Sequence, residues 1–281
     1  MASISQLVPV GFSLAAMGCW GTSDFTGGYA VRRAPAFLFT TITHASGACL
    51  ILALALLDHS PVPSRQTVGW SLLAGALAGI SLAIFYRALA SGKMGITTPV
   101  VAVLSAGIPA VIGIMTEGAP GILTITGFAL AGAGLWLITR PEDGSRPQGL
   151  GLALLSGIGF AGYFLCIKQA GSGSPLWIAG LSRSCSFFLT GAIVVLAGKI
   201  PGISRPDIRM AIVTGCIDVS GSALFVRAMQ TGRLDSVVVL SSLYPAVTVL
   251  LARFVLKEHL PRWKAVGMLA ALAAVPMIAL R

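Results

Sequence analysis

A carboxylate and a guanidinium lie deep inside apolar stretches of this chain. Asp218 falls near the middle of the apolar run 209–230, which contains IVTGCIDVSGSALFVRAM, about ten residues from either end of the run, and Arg183 lies about seven residues into its own apolar run. Polar groups are costly in hydrocarbon, so an ionisable side chain at this depth faces a partner or a water-filled cavity. Asp218 could therefore bind a proton, a cation or an ammonium group, or it could be locked into helix packing.

Arg183 is the nearest candidate partner for Asp218. At 1.5 Å of rise per residue the two residues lie roughly 10 and 16 Å from the same membrane face, a difference that an arginine side chain can bridge. Two roles stay open for this pair. It could be a fixed salt bridge, or Arg183 and Asp218 could hold the carboxylate and the ammonium group of a zwitterion.

Four more side chains could line the same site. They are Asp24, His44, Tyr163 and Trp20. Asp24 could act as a gate or coupling acid, or it could pair with the nearby Arg32 or Arg33. His44 could relay protons or be a hydrogen-bonded core residue, and the two aromatic side chains could line a cavity or simply pack.

The composition is that of an integral membrane protein. Of 281 residues, 56% are hydrophobic and 10% charged, and the mean hydropathy is +0.89, whereas soluble domains carry about 25% charged residues. Each apolar run is long enough to cross about 30 Å of hydrocarbon. The runs cover approximately 7–30, 36–57, 68–90, 94–115, 120–139, 148–169, 176–197, 209–230, 234–256 and 263–280. They predict an all-α protein of about ten transmembrane helices with no soluble domain.

Several functional classes are excluded. Lysine and arginine lie mainly between apolar runs, so the net charge of +10 reports contact with lipid headgroups, and we expect no nucleic acid as a partner. The chain has no GxxxxGK[ST], HExxH or GxSxG motif. The spacing of its histidines and cysteines does not suit a metal site. We therefore expect neither an enzyme nor a cofactor.

An internal repeat is visible when the chain is shifted against itself by 140 residues. The shift places FYRALASGK (85–93) on FVRAMQTGR (225–233), so that Arg87 meets Arg227. Charged residues would not match for compositional reasons in a chain with so few of them. Two homologous halves are the simplest explanation of this match.

The two halves, 1–140 and 147–281, would each contain five helices. Because five is odd, the second half must enter the membrane from the opposite side. Inverted repeats of this kind are typical of secondary transporters, where two related halves surround a site near the membrane midplane.

Lysine and arginine are unevenly divided between the two faces that these helices define. Thirteen lie at the ends of odd-numbered helices or the starts of even-numbered ones, including Arg32 and Arg33, and five lie on the other face. By the positive-inside rule the richer face is cytoplasmic. The sequence therefore predicts a multi-pass protein of the cell inner membrane with both termini outside the cytoplasm.

Three stretches resemble the EamA-type branch of the drug/metabolite transporter superfamily. They are WGTSDFTGGYAVRR, FYRALASGKMGITTPVVAVLSAGIPAVIGIMTEGAP and LSSLYPAVTVLLARFVLKEHLPRWKAVGMLAALA. In the last stretch Glu258 lies where the family usually has a Gly-Glu-Arg-Leu-like turn, and Glu117 is its counterpart in the first half. The resemblance implies two inverted five-helix repeats around a central cavity. It also implies ATP-independent movement of small metabolites, often by export of amino acids or related amphipathic compounds.

The residues and the resemblance together predict a secondary active transporter that exports a small organic metabolite by alternating access. A proton is the candidate coupling ion, and the lipid bilayer and the small-molecule substrate are the expected partners. Two alternatives stay open: uptake of a sugar or amine by the same fold, and a membrane scaffold that transports nothing.

Overall fold

The computed structural model describes residues 4–91, 94–140, 150–198, 202–257 and 261–279. Within these ranges every regular element is a helix. In chain order they are α1 (Ile4–Ala30), α2 (Ala36–Leu57), α3 (Arg65–Ser91), α4 (Met94–Glu117), α5 (Ile122–Thr139), α6 (Leu150–Gln169), α7 (Pro175–Leu196), α8 (Arg205–Thr231), α9 (Leu234–Ser241), α10 (Tyr244–Val255) and α11 (Arg262–Ala279). The all-α prediction is confirmed, and the helices begin and end within about four residues of the predicted runs.

Nine segments of the described ranges are long and apolar enough to cross a membrane. One of them, Leu234–Val255, contains both α9 and α10. α1 is not among these nine segments of the described ranges. With 27 residues it is still about 40 Å long, enough to span the hydrocarbon.

Proline and serine mark the beginnings of several helices. Pro35 precedes α2, Pro175 opens α7 and Pro206 lies in the first turn of α8. The N–H groups of the first turn have no acceptor within the helix, so the missing N–H of proline costs no helical hydrogen bond there. The hydroxyl of Ser204 accepts a hydrogen bond from the backbone N–H of Asp207 at 3.3 Å and so caps α8.

The ninth predicted run is interrupted at Ser242 and Leu243, where α9 ends and α10 begins. The two helices together form one span, Leu234–Val255, which corresponds to the predicted run 234–256. Pro245 explains the break, because it has no N–H for the carbonyl of Ser241 and its ring crowds that carbonyl. The hydroxyls of Ser241 and Ser242 are buried without a hydrogen-bond partner among the described residues.

Glycines let the helix backbones approach closely. A Cβ added to Gly75 on α3 would collide with the carbonyl of Ser182 on α7, and one added to Gly215 on α8 would collide with the carbonyl of Thr43 on α2. Small residues at such crossings allow tight packing in a membrane, where apolar lipid gives helices little other reason to associate.

The bundle has two ends. We call the end where α1 begins and α11 ends the terminal end, and the opposite one the basic end. At the terminal end the α2–α3 connection is tied to α7, since the indole of Trp177 donates to the carbonyl of Ser60 at 3.2 Å. The amide of Gln230 on α8 likewise donates to the carbonyl of Gly173 at 2.7 Å.

Candidate functional site

Arg183 on α7 and Asp218 on α8 form an ion pair inside the bundle. Nη2 of Arg183 lies 2.7 Å from Oδ2 of Asp218, and the two side chains are 15% and 19% exposed. Of the two arrangements that the sequence left open, direct pairing is the one present in this structure.

Arg183 makes two further contacts inside the bundle. Nη2 donates to the hydroxyl of Ser222 at 2.7 Å, and Nη1 lies 3.3 Å from Nδ1 of His44. A guanidinium can only donate, so Nδ1 of His44 accepts and its ring is neutral. This arrangement favours a hydrogen-bonded histidine that holds Arg183 in place.

Ser222 connects the ion pair to α1. Its hydroxyl accepts from Arg183 and from Nε1 of Trp20, the latter at 3.4 Å, and donates to the carbonyl of Asp218 at 3.2 Å. Ser222 follows Asp218 by four residues and therefore shares its helix face. The sequence analysis did not single out Ser222, although this spacing was the available signal.

Asp24 lies at the level of the ion pair. Two hydrogen bonds join the antiparallel helices α1 and α8: Thr26 to Thr214 at 2.9 Å, and Trp20 to Ser222 at 3.4 Å. Asp24 lies between these contacts on α1, and the carboxylate of the ion pair lies between them on α8. The two carboxylates thus occupy similar depths.

The carboxylate of Asp24 has no ion-pair partner among the described residues. Asp24 is exposed, yet it is within electrostatic reach of Asp218, Arg183 and Tyr244, which belong to three other helices. The space that it faces therefore lies between helices.

Arg33, one of the arginines proposed to pair with Asp24, binds Asp207 instead. Its Nε lies 2.7 Å from Oδ1 of Asp207, at the basic end of α8. This hydrogen bond raises the pKa of Arg33 above its ordinary value. Asp24 is thus left free of this cation.

Aromatic side chains separate the carboxylates from the terminal end. The ring centroid of Trp20 lies 5.2 Å from that of Phe225 and 6.3 Å from those of Phe164 and Tyr244. Tyr163 continues the layer, 5.3 Å from Phe164. The layer lies about one to two turns nearer the terminal end than the carboxylates do, so it closes the site on that side.

The six side chains that the sequence selected surround this one site. They are Asp218, Arg183, Asp24, His44, Tyr163 and Trp20. The structure gives their positions, and the roles assigned to them stay predictions. No group of three His, Cys, Asp or Glu residues that could hold a metal ion occurs in the described ranges.

Four charged side chains form a second cluster, at the terminal end. Lys168 on α6 lies 2.8 Å from Glu117 at the end of α4, and Arg233 lies 2.7 Å from the fully buried Asp235 on α9. Arg233 also donates to the carbonyl of Glu117 at 2.8 Å. This terminal cluster joins α4, α6 and α9. Sequence reasoning missed it, because its members lie at the ends of apolar runs and resemble ordinary interface charges.

A cavity of about 420 Å³ lies beside the terminal cluster. Its walls include Ser13, Glu117, Arg233, Ser236 and Leu240. Ser13 lies about two turns beyond Trp20 towards the terminal end, so the aromatic layer stands between this cavity and the ion pair. Glu258, which the resemblance pairs with Glu117, lies outside the described residues.

An apolar helical bundle with an ion pair at mid-depth defines a multi-pass membrane protein with an internal polar site. Residues 147–280 match the model of the EamA-like transporter family. The match confirms the resemblance found in the sequence, and the family is one of membrane transporters of the drug/metabolite type. The family is one of transporters and not of enzymes.

Solved structures extend the likeness to the whole fold. One chain, described only as "Crystal structure of protein", superposes with a TM-score of 0.82 at 16% sequence identity, over 100% of this chain and 99% of that chain. At this identity the likeness shows the fold alone. No curated protein matches the sequence.

Proposed function

We propose that this protein is a secondary active exporter of small organic metabolites, working by alternating access around Asp24, Arg183 and Asp218. The observation that carries the proposal is a carboxylate without an ion-pair partner among the described residues, beside a partly buried ion pair and facing space between membrane helices. A charged side chain is costly in hydrocarbon and has no role in a membrane scaffold, whereas a binding site uses it to bind a ligand.

Helix packing supports two inverted repeats, residues 1–140 and 147–281. If the first five spans are matched in order with the last five, α1 corresponds to α6 and α8 corresponds to α3. The packing of α1 on α8 then corresponds to that of α6 on α3. The packing of α2 on α8 likewise corresponds to that of α7 on α3. α5 and α11 correspond to each other, and they pack together. A twofold relation between the halves predicts this pattern.

The tightest backbone contacts follow the same relation. Gly75 meets the carbonyl of Ser182, and Gly215, which follows Gly75 by 140 residues, meets the carbonyl of Thr43. Thr43 precedes Ser182 by 139 residues, one residue less than the shift of the sequence repeat. Equivalent residues thus make equivalent contacts on the two sides of the bundle.

The two ends of the bundle differ in a way that suits one state of an alternating-access cycle. The aromatic layer and the terminal cluster close the path to the terminal end, whereas Asp24 is exposed on the side of the basic end. With the basic end in the cytoplasm, as the thirteen-to-five charge bias proposes, this state loads substrate from inside the cell. The opposite state requires Glu117 to separate from Lys168 and Arg233.

A proton is the proposed coupling ion. When no substrate is bound, only Arg183 balances the two carboxylates Asp24 and Asp218, so a proton can neutralise the remaining charge. Other titratable groups within reach of these charges are Tyr244 on α10, the neutral His44 on α2, Tyr163 on α6 and Cys19 on α1. Substrate and proton then compete for one site, which is the requirement for exchange.

The proposal is tested with purified protein in liposomes, with and without a pH gradient. We expect the gradient to drive substrate flux in the parent, and Asp218→Asn to abolish that dependence. Asp207→Asn is the matched control, since it removes a carboxylate from the same helix outside the site. Unchanged gradient dependence in Asp218→Asn would refute the coupling role, and absence of flux in the parent would favour a scaffold. The direction of flux in whole cells separates export from uptake.

A further inference from the structure

We infer that the site selects an amphipathic organic cation of charge +1, and that Asp24 binds its ammonium group. This inference rests on the proposed transport function and specifies its substrate class. It also narrows the choice between a zwitterion and an amine that the sequence left open.

The charges around the site do not balance. Asp24 and Asp218 contribute two negative charges, Arg183 contributes one positive charge, and His44 is neutral because its Nδ1 accepts from Arg183. With both carboxylates ionised, the site therefore carries one uncompensated negative charge. A carboxylate between membrane helices is stabilised by a counter-ion, and a monovalent cation supplies one, whereas a zwitterion leaves the net charge unchanged.

Three of the N–H donors of Arg183 are engaged within the protein. Its Nη2 is shared between Asp218 and Ser222, and its Nη1 faces His44. A substrate carboxylate that replaced Asp218 at Nη2 would leave Asp218 as an unpaired carboxylate beside Asp24. An amine requires no such replacement, which favours an amine over the corresponding amino acid.

Aromatic rings flank the free carboxylate. Trp20 lies one helical turn from Asp24 on the same face of α1, and the Tyr244 ring lies 6.3 Å from the Trp20 ring. Indole and phenol faces attract cations and also cover apolar groups. An ammonium at Asp24 would therefore lie beside rings that can hold the apolar part of the same molecule, which fits an amine with a small aromatic or aliphatic body.

Three probes with one carbon framework separate charge from shape: phenethylamine (+1), phenylalanine (zwitterion) and 2-phenylethanol (neutral). Binding is measured by ligand-induced thermal shift of the detergent-solubilised protein and by flux into liposomes. We expect the amine to bind about tenfold or more tightly than either of the others, because it alone gains a charge-assisted hydrogen bond. Matched amine and amino-acid pairs of other sizes extend the set.

Three variants identify the responsible carboxylate. Asp24→Asn should abolish the preference for the amine, and Asp24→Glu, which keeps the charge, should retain it. Asp58→Asn is the control, since it removes an exposed carboxylate from the α2–α3 connection and should change nothing.

Each outcome distinguishes the inference from the proposed function. Equal or tighter binding of the amino acid, or an intact preference for the amine in Asp24→Asn, overturns the inference. If the amino acids are carried and the amines are not, the transport function stands without the cation selectivity. If no member of the paired set binds or crosses, both are refuted.

Discussion

Removal of the Arg183 side chain is the perturbation whose magnitude follows most directly from the structure. Arg183→Met keeps the length of the side chain and leaves Asp218 and Asp24 without a protein cation. Two unit charges about 4 Å apart interact by about 4 kcal/mol at an effective dielectric constant of 20, and loss of one partner of a buried pair costs about 3–5 kcal/mol. We therefore expect the free energy of unfolding to fall by about 3–4 kcal/mol.

Removal of the charge of Asp218 should lower the free energy of unfolding by less than removal of Arg183 does. In Asp218→Asn the guanidinium still bonds Ser222 and has the second carboxylate, Asp24, within electrostatic reach, so we expect a loss of about 1–2 kcal/mol. Because the double variant Arg183→Met with Asp218→Asn removes both charges of the pair, it should recover about 2 kcal/mol relative to the sum of the single effects.

Denaturant-induced unfolding of the protein in detergent micelles, followed by tryptophan fluorescence, measures all four proteins of this double-mutant cycle. Two results would refute the reasoning. One is additivity of the single effects to within about 0.5 kcal/mol, the scatter of independent sites. The other is a larger loss of unfolding free energy for Asp218→Asn than for Arg183→Met. That result would mean that Asp24 does not interact electrostatically with the guanidinium of Arg183.

Two further predictions concern the terminal cluster and the helix crossings. Glu117→Gln removes the ion pair with Lys168. We therefore expect faster amide hydrogen exchange at the terminal ends of α4 and α6, and a loss of stability below about 1 kcal/mol. Unchanged exchange would show that the terminal cluster does not hold this end closed. Gly75→Ala drives a methyl group into the carbonyl of Ser182 and should cost about 1–3 kcal/mol, whereas Gly69→Ala on the same helix meets open space and should be neutral or slightly stabilising. Equal thermal shifts in the two alanine variants would contradict the packing argument.

Most of the fold could be predicted from the sequence because the bilayer imposes the same requirements on every membrane-spanning helix. A helix must satisfy its own backbone and present about 20 apolar residues, so charged and proline-rich stretches mark where helices begin and end. The run 36–57 matches α2 residue for residue. Hydropathy marks 234–256 as one run and does not register the backbone bond that Pro245 removes, so the position of the break before Tyr244 comes from the structure.

The site was only partly readable from the sequence. Asp218 and Arg183 were conspicuous because charge is rare at such depth, but the sequence could not decide whether they bind each other or a ligand, since that depends on how α7 and α8 are rotated. Ser222 was missed for the opposite reason: a serine in a membrane helix is common and is usually bonded to its own backbone. Only the packing of α1 on α8 reveals that its hydroxyl links Trp20 to Arg183.

Counterflow is the most direct test of alternating access around one central site. Purified protein in liposomes preloaded with unlabelled phenethylamine is diluted into a trace of labelled phenethylamine, with no ion gradient present. The account predicts transient accumulation of label above the equilibrium level in the parent protein and none in Asp24→Asn. Label that enters and only rises smoothly to equilibrium in the parent, as through a channel, would contradict it.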